Sequence, residues 1–211
     1  MLRNSPLEIE LTTKCTLGCP ACPRNDPNEK KEDWDVGHLD TDIVKSFADS
    51  DVNRNHLFIG CYGDPLYHPD FIDIMRYYTN KNKRVIIHTN GSFKTKKWWN
   101  ELASINWNSK LHELIFSVDG LEDTNHLYRI RANWKSIMVG MRIMGALPLD
   151  RRPVLEWKYL VFPYNEHQVA EARELANELG FNKFNPVTSE RDVLSYATED
   201  REMYRWPDDK T

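Results

Sequence analysis

In the stretch ELTTKCTLGCPACPR, residues 10–24, Cys15, Cys19 and Cys22 fall within eight positions, and Cys61 is the only other cysteine in the chain. Three thiolates spaced C-x3-C-x2-C on a loop can wrap one compact inorganic centre, because soft sulfur ligands suit iron–sulfur clusters or zinc. A four-iron cluster held this way is one ligand short. The iron without a protein ligand is then an open coordination site where a substrate or cosubstrate can be chelated. Zinc competes, with Cys61 or a histidine as fourth ligand and a non-catalytic interaction module as the result. Structural zinc sites usually pair their ligands in two knuckles, however, and no second knuckle follows here. Inert, unbound cysteines are the third reading, and three thiols in eight residues argue against it.

Such a loop needs a scaffold. The 211 residues suffice for one sizeable core, and one domain is expected over 1–211, its core spanning about 7–187 and 188–211 forming a C-terminal extension. Lys and Arg number 28 against 32 Asp and Glu, a net charge of −4, with both signs mixed. Composition therefore gives no electrostatic footprint for nucleic acid. No apolar run reaches signal-peptide length or the roughly 20 residues of a membrane span, so a soluble, cytoplasmic protein with reduced thiols and no membrane partner is expected.

Segments 7–12, 56–61, 83–89, 113–119, 154–162 and 182–187 read as strands, rich in Val, Ile, Phe and Leu. Between them, 40–50, 69–80, 94–106, 133–147 and 165–180 read as helices. The second of these opens on Pro69 with Asp70 in its first turn, and the last starts at an Asn165 N-cap and stops at Gly180. Strands alternating with crossover helices imply a mixed α/β chain with a parallel sheet, open or rolled into a partial barrel. Residues 24–38 are polar and read as a long loop.

In parallel α/β folds ligands bind at the carboxyl ends of the strands. Those ends read TTKCTLGC, GCYGDPLYHPDF, HTNGS and SVDGLEDTNHLYR, which gathers small, polar and metal-capable residues on one rim. Each has an ordinary reading too. Gly63, Asn90 and Gly91 suit turns. Cys61 reads first as a small buried hydrophobe and second as a thiol facing substrate. His68, His88 and His126 are assigned no ligand role, Trp98, Trp99 and Trp107 read as packing against the sheet, and MVGMRIMG reads as core filling.

Taken together and in this order, CTLGCPAC after a first strand, YGDPLYHPDF, TNGS and SVDGLEDTNHLYR resemble the radical S-adenosylmethionine (radical SAM) superfamily, in particular the core domain of its SPASM-type peptide- and protein-modifying members. The resemblance runs from about residue 7 to about 185. It implies a partial (β/α)6 TIM-like barrel in which Cys15, Cys19 and Cys22 hold a [4Fe-4S] cluster. S-adenosyl-L-methionine (SAM) would chelate the fourth iron, and its reductive cleavage would give methionine and a 5′-deoxyadenosyl radical that abstracts hydrogen from substrate. An electron donor such as flavodoxin or ferredoxin is implied as partner.

Residue by residue, Tyr62, Gly63, Asp64 and Pro65 stand in place of the family's Gly-Gly-Glu-Pro run, with Gly63 allowing close approach to the ligand and Asp64 accepting from the SAM ammonium. Ser117 and Asp119 match positions near the SAM ribose and carboxylate, Arg129 matches an arginine that pairs with the methionine carboxylate, and Asn90 is a further SAM contact. The family's aromatic residue before the third cysteine is here Ala21, so Tyr62 or Val161 is expected to cover the adenine. A large substrate such as a peptide or protein side chain is the first expectation and a small nucleoside or nucleotide precursor the second. No catalytic side chain is named.

Overall fold

Burial alternates along the strands, and that alternation separates a helix-covered face from an open one. The computed structural model of the chain describes residues 7–25, 37–50, 56–58 and 62–188. Its strands are β1 (Leu7–Glu8), β2 (His56–Phe58), β3 (Val85–Thr89), β4 (His112–Ser117), β5 (Val154–Val161) and β6 (Lys183–Thr188). They form one sheet in the order β1-β2-β3-β4-β5-β6, every neighbouring pair parallel. Consecutive parallel strands need a crossover between them, so all six carboxyl ends share one rim. No pairing joins β6 to β1 among the described residues, and the barrel is partial.

The crossovers carry α1 (Thr41–Asp49), α2 (Phe71–Asn80), α3 (Lys96–Ala103), the short α4 (Asn125–Tyr128), α5 (Trp134–Gly145) and α6 (Val169–Glu178). Val85, Ile87, Leu114, Phe116, Leu155, Trp157 and Tyr159 bury the helix-covered face completely. Trp99 of α3 stacks on Phe116 with centroids 5.6 Å apart. At Gly140 a Cβ would lie 2.4 Å from the Trp99 ring, so α5 packs closely on α3 only because that position carries no side chain. Trp99, Trp107, Trp157 and the methionines Met138, Met141 and Met144 are core, and Trp98 packs half-buried against it. The opposite face, with Ile86, His88, Glu113, Ser117 and Lys158, is only partly covered.

Among the described residues, side-chain caps account for three of the six helix starts. Asp40 accepts from the Asp42 and Ile43 amides, Thr95 from the Trp98 amide and Asn133 from the Ser136 amide. Two expectations need correction. Helix α2 begins at Phe71 rather than Pro69, and Asp70 makes no capping bond but accepts from the Thr41 hydroxyl at 2.7 Å. Asn165 does not cap α6, which begins at Val169; its side chain is drawn instead into the barrel mouth. Gly180, with φ of +77°, ends that crossover as expected. The turn of helix at α4 is too short for periodicity to reveal. Cys61, most of the 24–38 loop and residues 189–211 of the extension lie outside the described residues. Among the described residues no helix is long and apolar enough to cross a membrane.

Candidate functional site

The cysteine loop leaves β1 and is pinned at once. Thr12 Oγ1 donates to the Gly37 carbonyl at 2.9 Å, and Gly37 N donates to Thr13 Oγ1 at 3.0 Å. Farther along, Gly18 N donates to the Ile130 carbonyl at 3.1 Å, Cys22 N to the Cys19 carbonyl at 3.2 Å and Asn25 N to the Cys22 carbonyl at 2.8 Å. Arg24 bridges the Thr13 and Tyr62 carbonyls and so ties the loop to the end of β2. The loop is folded back on itself with its sulfurs on the inside.

Those sulfurs line one open cleft enclosing ≈ 470 Å³ of non-atom space, its mouth included. Its walls are Cys15, Leu17, Cys19, Cys22 and Arg24 from the loop, Tyr62, Gly63 and Asp64 after β2, His88, Thr89 and Asn90 at the end of β3, Ser117 at the end of β4, and Arg129. Every one of these positions lies at or beyond the carboxyl end of a strand. Of the residues expected at the site, Pro65, Asp119 and Val161 do not line the cleft. Pro65 is buried at the start of the 3-10 turn Pro65–Tyr67. Val161 packs against the main core, whereas its neighbour Leu160 packs beside the cysteine loop. The side-chain period of two decides that exchange.

Asp119 stands behind the wall. It is fully buried, its Oδ2 accepts from Arg129 Nε at 2.7 Å and its Oδ1 accepts from the Leu160 amide at 2.8 Å. Asn165 completes the support by donating to the Asp119 and Leu160 carbonyls at 2.9 and 3.0 Å and accepting from the Phe162 amide at 2.7 Å. Asp119 thus orients Arg129, which is the group of the pair that faces the cleft.

Asp64 is engaged in a similar way. Its carboxylate accepts from Leu66 N at 3.0 Å, from Thr89 Oγ1 at 2.9 Å and from Asn90 N at 2.8 Å. Burial pushes its pKa up to about 6, while the Asn90, Thr89 and Leu66 donors pull the other way. Gly63 has a role beyond approach to a ligand. A Cβ there would sit 1.9 Å from the Thr12 carbonyl oxygen and 2.9 Å from that of Lys14, so glycine is what lets the β2 loop close on the cysteine loop.

The donor set fits an iron–sulfur cluster. Burial pushes the Cys19 thiol up to about 12, and burial followed by the Asp64 carboxylate raises Cys15, so both stay protonated without a cation to compensate. Bound irons would supply that positive charge and displace the thiol protons. Cys15 Sγ also receives two N–H groups, from Leu17 N at 3.5 Å and Asn90 Nδ2 at 3.6 Å, as a ligating thiolate does. Among the described residues, which leave out Cys61, no three His, Cys, Asp or Glu side chains are placed around a single metal ion.

Leu17, Arg24 and Thr89 line the cleft without having been singled out from sequence, and so does His88, which the sequence placed near the rim but gave no ligand role. Arg24, two residues past the third cysteine, carried a readable signal; Leu17 and Thr89 did not. Burial, then the positive charge of Lys158, pushes the His88 imidazole down to about 4, so it is neutral at pH 7.

Ala21 is not on the cleft. It packs against the group Leu17, Cys19, Tyr128 and Phe162, where the Phe162 ring stacks on Tyr164 at 5.4 Å. Filling a packed site costs about 1–3 kcal/mol. Ala21→Phe is therefore expected to lower the chain's unfolding midpoint in urea and to leave SAM affinity no tighter. A tighter SAM complex, read by anaerobic titration, would put Ala21 on the ligand's side of the loop.

A sequence model of the Radical SAM superfamily matches residues 9–200. The chain is 27% identical over 184 residues to the AdoMet-dependent heme synthase of Methanosarcina barkeri, covering 85% of this chain and 49% of that protein. It therefore spans about half the length of this curated relative. Among solved structures it resembles Streptococcus suis SuiB bound to precursor peptide SuiA, with a TM-score of 0.64 and 14% identity over 92% of this chain and 41% of that one. It also resembles SuiB bound to S-adenosylmethionine, with a TM-score of 0.63 and 14% identity over 95% and 46%. These likenesses bear on the fold.

Proposed function

Because the chain belongs to the radical SAM superfamily, we propose that Cys15, Cys19 and Cys22 hold a [4Fe-4S] cluster in the cleft and that SAM binds beside it as cosubstrate. The observation that carries this reading is the convergence of the three thiols, Ser117 and Arg129 on one cleft at the strand ends. When bound, the cluster supplies one electron to the SAM sulfonium, giving methionine and a 5′-deoxyadenosyl radical that takes a hydrogen atom from substrate. The chain's own residues do the positioning. Arg129, held by Asp119, presents its guanidinium to the methionine carboxylate, and Ser117 offers a hydroxyl to the ribose. Leu17 gives the cleft an apolar patch. The electron comes from a donor such as flavodoxin or ferredoxin.

The substrate we propose is a peptide or protein side chain. The unclosed sheet supports it, since a partial barrel leaves one side open to a large molecule, and the fold neighbour SuiB is named with a precursor peptide. The test is to incubate reconstituted, reduced protein and SAM with candidate peptides and nucleosides and to look by mass spectrometry for product together with 5′-deoxyadenosine. Product from a nucleoside alone would overturn the peptide reading, and absence of 5′-deoxyadenosine throughout would overturn SAM cleavage.

Ser117→Ala is expected to keep the cluster and weaken SAM binding. The loss of one charge-assisted hydrogen bond is worth about 1.5–3 kcal/mol and that of a neutral one about 0.5–1.5 kcal/mol. For a hydroxyl on ribose the lower range applies, a fall in affinity of severalfold. Calorimetric titration of SAM reads it, and wild-type affinity would remove Ser117 from the SAM site.

A further inference from the structure

Asn90 is almost completely buried, and its backbone N–H and both ends of its side-chain amide are engaged. Its Oδ1 accepts from the Ser92 amide at 2.9 Å. A backbone N–H can only donate, so this contact fixes which end of the amide is oxygen and turns Nδ2 the other way. That way lies Cys15 Sγ at 3.6 Å. The backbone is fixed as well, because Asn90 N donates to the buried Asp64 carboxylate at 2.8 Å, which also accepts from Thr89 Oγ1 and Leu66 N. Two successive anchors, one on each side of Cα, aim a single N–H donor at one particular sulfur.

We propose that Asn90 is a dedicated hydrogen-bond donor to the Cys15 thiolate that raises the reduction potential of the bound cluster. The inference rests on the cluster reading above but assigns Asn90 to the sulfur rather than to SAM. An N–H dipole on a ligating thiolate favours the more negative, reduced state, and hydrogen bonds to sulfur are among the determinants of cluster potential. With the Leu17 amide already on the same sulfur, Cys15 is a two-donor ligand. Asn90 acts through Cys15 and is a positioning residue, so its signature is the potential of the SAM-free protein, which a merely structural role does not move.

The test is a potentiometric titration of reconstituted, SAM-free protein followed by electron paramagnetic resonance (EPR). Asn90→Ala should shift the reduced-to-oxidised ratio at a given potential on the order of tenfold toward oxidised, which for one electron is about 59 mV more negative. Asn90→Asp keeps an acceptor for Ser92 N but puts a carboxylate by the sulfur, and should shift it further in the same direction. Unchanged potentials with wild-type iron content would overturn the proposal. Should neither variant hold a cluster, pulsed EPR on reduced wild-type protein carrying 15N in asparagine side chains decides: a weak 15N coupling upholds the contact and its absence refutes it. A wild-type protein that takes up no iron and sulfide overturns the cluster reading itself, and this inference with it.

Discussion

Replacing any one of Cys15, Cys19 or Cys22 by Ala is expected to abolish retention of iron and sulfide after anaerobic reconstitution, and with it SAM cleavage, while Cys61→Ala keeps both. The three thiols line one cleft, whereas Cys61 stands apart from their C-x3-C-x2-C loop in the sequence. With two thiolates left, a cluster would carry two open irons, and the remaining buried sulfurs would lose part of the charge compensation that makes them thiolates. Metal-coupled binding of this kind does not degrade gradually. Iron and acid-labile sulfide analysis of the four variants reads the outcome. If all four lost iron equally, Cys61 would be a fourth ligand and no iron would be open for SAM.

Asp119→Ala should destabilise the chain by about 3–5 kcal/mol, the usual cost of breaking a buried ion pair from one side. Asp119 is fully buried and its two oxygens serve the Arg129 guanidinium and the Leu160 amide. Removing the carboxylate leaves a cation and a β5 amide without their acceptor. Urea unfolding of the cluster-free protein measures the loss, and Arg129→Leu in the Asp119→Ala background should recover part of it by removing the orphaned charge. A single variant as stable as wild type and with SAM affinity unchanged would show that Asp119 is not what holds Arg129. A stable fold with Arg129 displaced would instead weaken SAM, so affinity should be measured alongside.

What could be read without a structure was the scaffold and the sulfurs. Strands β3, β4 and β5 were legible because they are rich in Val, Ile, Leu, Phe and other large apolar residues and are bounded by polar turns. The three cysteines were legible because their spacing is dense and specific. The division of labour among the rim residues was not. Asp64 and Asp119 each look like carboxylates offered to a ligand, yet both accept from internal donors distant in sequence, Thr89 and Asn90 for Asp64 and Arg129 and Leu160 for Asp119. Asn165 looks like a helix cap and braces the barrel mouth, because the Asp119 and Leu160 carbonyls compete for its amide. Gly63 is needed where two loops meet, a contact between residues about fifty positions apart. Such facts are tertiary, and no local pattern encodes them.

The claim that three thiols leave one iron open to SAM is tested most directly by EPR of the dithionite-reduced, reconstituted protein with and without SAM. Binding at an open iron changes that iron's coordination, so the signal of the reduced four-iron cluster should shift in position and shape on adding SAM. A cluster signal that is identical with and without saturating SAM would contradict it.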